Sequence, residues 1–330
     1  MAQSTVNSTL DLTKALKSLG GKPSTALAAA RFLQPGLLTG KDNVWIPPTV
    51  EPKLKLAVAS GRHVWLYGPP GTGKSTILMS ILKNQTGGVL GKDYFRFTMD
   101  ASKTADDLVG VLGPNDNGGF THAWSTLIEA CETGKPCVID EINAIRAEHA
   151  FPLFSMLDHT TEFDALLAGK TRHVKKAKGF QVLATANDNG SGDNAHLFGG
   201  IEVINRALAE RFAYYVYMDY LPLKLEVEMI GEMIGIYSPP LITSLVEIAN
   251  ETRKVAKDDP SRAELAISPR VLIEWATAYE IAVRNKLTID HKGLAEISVT
   301  GRLGESVKDT IIELVKNKLG RFDINSITLL

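Results

Sequence analysis

Apolar positions change rhythm along this chain. Between residues 51 and 221, short unbroken apolar runs alternate with stretches whose apolar residues recur at helical spacing. The runs His63–Gly68, Tyr94–Met99, Cys137–Asp140, Phe180–Ala186 and Ala213–Met218 read as strands. Lys74–Gln85, Thr121–Thr133, Glu148–Asp158 and Glu202–Arg211 read as the helices between them. Such alternation predicts an α/β fold, a parallel sheet sandwiched by helices. After Leu221-Pro222 the strand signal stops. Lys224–Ile234, Leu241–Ala256 and Pro269–Arg284 then predict a smaller all-helical domain over 222–290. Residues 291–330 carry one amphipathic helix, Glu305–Leu319, and a tail. Residues 1–50 form an accessory segment with two short amphipathic stretches, Leu10–Leu19 and Thr25–Leu33, ending at Ile46-Pro47-Pro48.

Composition narrows this little. The 330 residues are 44 % hydrophobic and 22 % charged, ordinary for a globular protein. A formal net charge of −1 supplies no global field toward nucleic acid or membrane. Cys131 and Cys137 are too few for a disulfide framework and belong to no zinc-like cluster, so both are expected as buried small hydrophobes. With no apolar signal core and no long uncharged apolar run, the expectation is a protein of a reducing compartment, the cytoplasm, with no membrane partner.

The candidate chemistry begins where the first strand ends. Gly68-Pro69-Pro70-Gly71-Thr72-Gly73-Lys74-Ser75-Thr76 is a G-x-x-x-x-G-K-[ST] loop between a strand-like run and a helix. Glycines let successive backbone N–H groups turn onto phosphate oxygens, Lys74 reaches the β- and γ-phosphates, and Ser75 binds Mg²⁺. The helix that follows points its positive end at the anion. About 65 residues after Lys74, the run Pro136–Asp140 ends in Asp140-Glu141. Ligands sit at the carboxyl ends of strands in such sheets, so Asp140 is expected beside Ser75 and Mg²⁺. Glu141 is then placed to deprotonate an attacking water.

Three further positions are weaker alone. Asn187, at the tip of the run Phe180–Ala186, either holds that water or merely forms a turn. Arg206 and Arg211 flank a short helical run; one of them reaches a neighbouring subunit's γ-phosphate, or Arg206 makes an i, i+4 pair with Glu210. Arg270 follows the helix start Ser268-Pro269, where a cation opposes the helix dipole and points to an anionic ligand or to plain solvation. Lys170, Arg172, Lys175, Lys176 and Lys178 crowd nine residues, either as a grip on an acidic polymer or as a solvated hairpin face.

Over residues 50–285 the chain resembles the AAA+ ATPases. Gly68–Ser75, Asp140-Glu141, Asn187, Arg211 and Arg270 look like Walker A, Walker B, sensor 1, arginine finger and sensor 2, in that order. Within that family it is most similar to the MoxR group and its cobaltochelatase ATPase subunits. The similarity rests on Leu183–Asn187, Asn189–Gly200, Ile204-Asn205 through Arg211-Phe212 and Ser268–Val271. Asp107–Phe120 and Phe163–Gly179 match the two insertions typical of the group. The resemblance implies a P-loop NTPase domain over 51–221, a helical lid over 222–290, and ATP with Mg²⁺ as cofactors. It also implies a homo-hexamer or other ring acting on a protein client or adaptor. Asp140-Glu141-Ile142-Asn143 is also similar to McrB-type GTPases of restriction systems, the alternative being a DNA-associated or GTP-driven motor; nucleic acid is the less favoured partner. The first 50 residues and the last 40 match neither pattern.

Overall fold

The computed structural model describes residues 44–188, 206–234, 236–324 and 327–329. The chain divides into two compact units, Met1–Pro48 and Thr49–Leu330. The two amphipathic stretches expected before residue 44 lie outside the described residues.

In the second unit the elements run α1 (Glu51–Ala59), β1 (Val64–Tyr67), α2 (Lys74–Thr86), β2 (Phe95–Thr98), α3 (Ala105–Val109), β3 (Gly110–Pro114), β4 (Phe120–Trp124), α4 (Thr126–Thr133) and β5 (Pro136–Asp140). They continue with α5 (Phe151–Leu157), β6 (Glu162–Leu167), β7 (Lys170–Lys175), β8 (Gln181–Ala186), α6 (Arg206–Ala209) and β9 (Tyr214–Tyr217). Five strands pair in parallel in the order β2-β5-β8-β1-β9. All six residues of β8 are buried, which is why that strand reads as a continuous apolar run rather than an alternating one. Tyr67 pairs with Ala186 and Ile139 with Ala184, so the chain leaves β1, β5 and β8 at neighbouring points on one rim.

Two expectations needed correction here. Thr121–Thr133 is not one helix: Phe120–Trp124 is a strand paired with β3, and the helix starts at Thr126. Ser125 makes the break, its Oγ accepting from the Ile128 N–H at 3.3 Å while donating to the Leu108 carbonyl at 2.6 Å. Glu148–Asp158 shortens to α5, preceded by a 3-10 turn at Ala147–His149. Asp107–Phe120 thus includes one arm of the β3–β4 hairpin, and Phe163–Gly179 contains most of the β6–β7 hairpin. Residues 202–205 of the expected helix Glu202–Arg211 lie outside the described residues.

Beyond residue 221 come α7 (Leu223–Met233), β10 (Ile236–Tyr237), α8 (Pro239–Asp258), α9 (Pro269–Arg284), α10 (His291–Ser298), α11 (Glu305–Leu319) and β11 (Thr328–Leu329). The β10–β11 pair and α10 were not expected; two-residue strands leave no alternation to read. Residues after 290 pack onto the preceding helices. His291 accepts from or donates to the Tyr279 hydroxyl at 2.8 Å and bonds the Phe322 carbonyl at 2.8 Å, while Lys318 pairs with Glu247 and Glu251 of α8.

A buried fork holds α7, α8 and the approach to α9 together. The Arg253 guanidinium donates to both Glu226 oxygens at 2.7 and 2.8 Å and to the Ile267 carbonyl at 2.7 Å, with its plane 4.2 Å from the Tyr220 ring. Only 5 % of the Arg253 side chain and none of Glu226 meets solvent. Desolvating both charges costs nearly what their attraction returns, whereas removing one strands the other. Arg253→Met alone is therefore expected to cost about 3–5 kcal/mol in urea unfolding. Combined with Glu226→Met, most of that loss should return; a double variant as unstable as the single contradicts the assignment.

Candidate functional site

The loop between β1 and α2 can only be built with glycine at two points. Gly68 has φ +146°, and a Cβ there would sit 1.9 Å from the Met218 carbonyl oxygen. Gly71 has φ +74°, and its Cβ would meet the Ser268 Oγ at 2.6 Å. The loop is thus wedged between the end of β9 and the start of α9. Gly73, also left-handed, is the N-cap of α2 and offers no side chain to that helix's first N–H groups. Amides so exposed favour an anion. Thr72 braces the loop, its hydroxyl donating to the Pro69 carbonyl at 2.9 Å. Pro70 and Thr76 are exposed, and Ser75 is half-buried on the first turn of α2.

Lys74 is 6 % exposed. Its ammonium donates to the carbonyls of Gly68 and Pro69 at 2.8 and 2.9 Å and to Asn187 Oδ1 at 3.3 Å. Burial lowers its pKa to about 8; nearby Glu141 resists the shift and Arg270 adds to it.

Asp140 ends β5 almost wholly buried, and both of its oxygens are engaged. Arg96 Nε donates to Oδ2 at 2.5 Å and the Thr185 hydroxyl to Oδ1 at 3.2 Å. Thr185 also accepts the Glu141 N–H at 3.2 Å, so one hydroxyl of β8 sets the end of β5. Glu141 has φ 53°, a left-handed conformation uncommon for a non-glycine residue and found at functional turns. There its carboxylate accepts from Asn187 Nδ2 at 3.2 Å. Burial, with Asp140 alongside, raises its pKa, against the pull of Lys74 and Arg270. Lys74, Asn187 and Glu141 form one bonded line. Beside it, buried Asn143 donates to Asp188 at 3.2 Å.

Ser75 and Asp140 offer a hydroxyl and a carboxylate, hard oxygens of the kind Mg²⁺ takes alongside phosphate and water. Among the described residues, no cluster of three or more His, Cys, Asp or Glu side chains could hold a metal without such help.

The arginines divide. Arg270 is exposed on the first turn of α9, its Cβ 3.5 Å from where a Cβ on Gly71 would lie, so the helical part meets the phosphate loop at this residue. Arg211 lies apart from this group, against α5 of its own chain. It stacks 4.9 Å over Phe154, donates to the Ala207 carbonyl at 2.5 Å and reaches Asp158 at 3.6 Å. Arg206 opens α6, and its side chain lies outside the described residues, as do Asn189–Gly200 and Ile204-Asn205.

The basic hairpin is less free than its charge implied. Arg172 is committed to Glu132 through two bonds of 2.8 and 2.6 Å and lies 5.1 Å over Trp124. Lys176 donates to the carbonyls of Ser155, Met156 and Asp158 at 3.0, 3.3 and 2.7 Å. Both cysteines are buried, as expected.

Sequence reasoning missed Thr185 and Arg96. A hydroxyl inside an apolar strand was the available sign for Thr185. For Arg96 there was none, because only the pairing of β2 with β5 brings it to Asp140.

A parallel sheet that gathers a phosphate-type loop, a buried lysine and an Asp-Glu pair on one rim defines a P-loop NTPase. Residues 63–212 match the AAA domain of the dynein-related subfamily, so this stretch of the chain carries an AAA domain. It is 26 % identical over 225 residues to the aerobic cobaltochelatase subunit CobS of Sinorhizobium sp, covering 66 % of this chain and 65 % of that protein. It is 26 % identical over 195 residues to the uncharacterized protein YehL of Escherichia coli K12, covering 57 % of this chain and 50 % of YehL. The matched region therefore spans less than two thirds of both relatives. Gas vesicle ATPase GvpN1 of Halobacterium salinarum is 22 % identical over 259 residues, covering 72 % of this chain and 69 % of its own. Two mutant RuvB structures from Thermotoga maritima are 16 % identical with TM-scores of 0.45 and 0.43, covering 89 and 84 % of this chain and 75 and 71 % of theirs. The AAA match and the likenesses to CobS and GvpN1 agree with the MoxR-like AAA+ pattern seen in the sequence.

The lowered lysine pKa gives a pH signature. In the unliganded protein the amine loses its proton above about pH 8, whereas a bound triphosphate favours the ammonium form. ATP binding at pH 8.5 should therefore take up part of a proton, and affinity should fall as pH rises from 8 toward 10. Calorimetry in buffers of different ionisation enthalpy reads that uptake directly. It should vanish near pH 6.5 and in Lys74→Arg, whose guanidinium stays charged.

Proposed function

We propose that this chain is a ring-forming ATPase that couples Mg-ATP hydrolysis to remodelling of a partner protein or complex. The observation that supports it most is the Lys74–Asn187–Glu141 line beside Asp140. Loop amides and Lys74 would hold the triphosphate. Ser75 and Asp140 would hold Mg²⁺, which when bound neutralises charge on the phosphates. Glu141 would take the proton of the attacking water, its raised pKa suiting it to that task. Asn187 Nδ2 would keep that carboxylate aimed.

Residues 51–221 would serve as the nucleotide domain and 222–290 as the lid, with 291–330 as an extension packed on it. Arg270 would read the phosphates from the lid. Arg211 bonds Phe154, Ala207 and Asp158 away from its own chain's group, and it would leave those partners to serve in a neighbour's site, most simply in a homo-hexamer. A chelatase-associated client follows only from the likeness to CobS. The DNA-associated or GTP-driven alternative draws little from the hairpin, since Arg172 and Lys176 are engaged within the chain. Among the described residues no helix is long and apolar enough to cross a membrane, and the working compartment proposed is the cytoplasm.

Turnover per subunit should rise with protein concentration as rings assemble. Arg211→Ala should lower kcat by about 10³-fold, the scale of an arginine finger, with ATP affinity changed only a few-fold. Mixing Arg211→Ala with otherwise inert Lys74→Ala subunits should restore part of the activity. Undiminished turnover in a monomeric Arg211→Ala protein contradicts the ring.

A further inference from the structure

Asp140 is the carboxylate that the reading above gives to the metal, and the inference rests on that reading. Its Oδ2 is already taken by a cation of this chain, Arg96. The two strands fix this contact. β2 pairs with β5 so that Thr98 faces Asp140 and Arg96 faces Val138. Arg96 and Asp140 therefore lie on the same face of the sheet, two residues apart, about 6.6 Å along the strand. An arginine spans that gap and few other side chains do.

The partners differ in freedom. Asp140 is 4 % exposed and further held by Thr185, so it stays in place. Arg96 is 47 % exposed, and β2 is the edge strand of the sheet, so its guanidinium can turn to water at small cost. A divalent cation on Asp140 would stand within a few ångströms of that guanidinium, and like charges so close repel, so each weakens the other's hold on the carboxylate.

We infer that Arg96 is a built-in competitor of the divalent cation for Asp140, a positioning residue that holds the carboxylate until the metal displaces it. Metal loading then depends on nucleotide, because phosphate oxygens supply the additional ligands that tip the competition.

The test is metal affinity rather than turnover. Mn²⁺ is titrated into protein held in excess over ADP, with free ion counted by electron paramagnetic resonance, so no hydrolysis enters. Arg96→Gln and Arg96→Ala should each bind Mn²⁺ about tenfold more tightly than the parent, the lower end of what removing a charge-assisted hydrogen bond predicts. Their thermal midpoints should fall modestly, since Arg96 is half-exposed but its loss leaves the buried Asp140 carboxylate without its cation. Equal or weaker Mn²⁺ binding in both variants overturns the competitor role. Asp140→Asn distinguishes the underlying reading: it should weaken Mn²⁺ binding at least about tenfold in every background, leaving only what Ser75 and the phosphates hold, and an unchanged affinity places the metal elsewhere and removes both claims.

Discussion

One ammonium group with almost no water around it organises this site. Lys74 must find oxygen acceptors, and it finds them in the turn of its own loop and in the amide of Asn187. The Gly68 carbonyl can serve only because Gly68 lacks a side chain where the Met218 oxygen approaches. Burial makes the charge expensive to keep, so an incoming phosphate gains more from it than from a solvated lysine. The lysine's lowered pKa and its pull on an anion thus share one cause.

The sheet then decides what surrounds that charge. Because β5 and β8 pair in parallel and β8 pairs with β1, Asp140, Asn187 and Gly68 arrive together though they are far apart in sequence. Thr185 ties the arrangement at its base by bonding both Asp140 and the backbone of Glu141. The left-handed turn at Glu141 lets its carboxylate accept from Asn187. From the other side, Ser268 closes on Gly71, so the helical part forms a wall of the site. Arg253 and Glu226 carry that wall by gripping the Ile267 carbonyl just before it.

The parts legible in the sequence were those whose chemistry is local. The glycine loop, the strand ending in Asp140-Glu141 and helix Pro269–Arg284 each carry their signal within a dozen residues. What stayed hidden depends on contacts between distant segments. Arg96 reads as an ordinary strand residue until β2 is laid against β5. Thr121–Trp124 joined a helical pattern because its apolar spacing suits either period, and only pairing with β3 settles it. The charge run 170–178 looked uniform, but Arg172 and Lys176 turn inward to Glu132 and to the end of α5, contacts that composition does not encode.

The account stands on Glu141 acting on water beside a triphosphate that Lys74 and the loop hold independently of it. Single-turnover hydrolysis by Glu141→Gln, measured with ATP affinity on the same sample, tests this most directly. Hydrolysis should fall by at least about 10²-fold, the usual share of a general base, while ATP still binds within a few-fold of the parent. Unchanged hydrolysis, or loss of ATP binding together with activity, contradicts it.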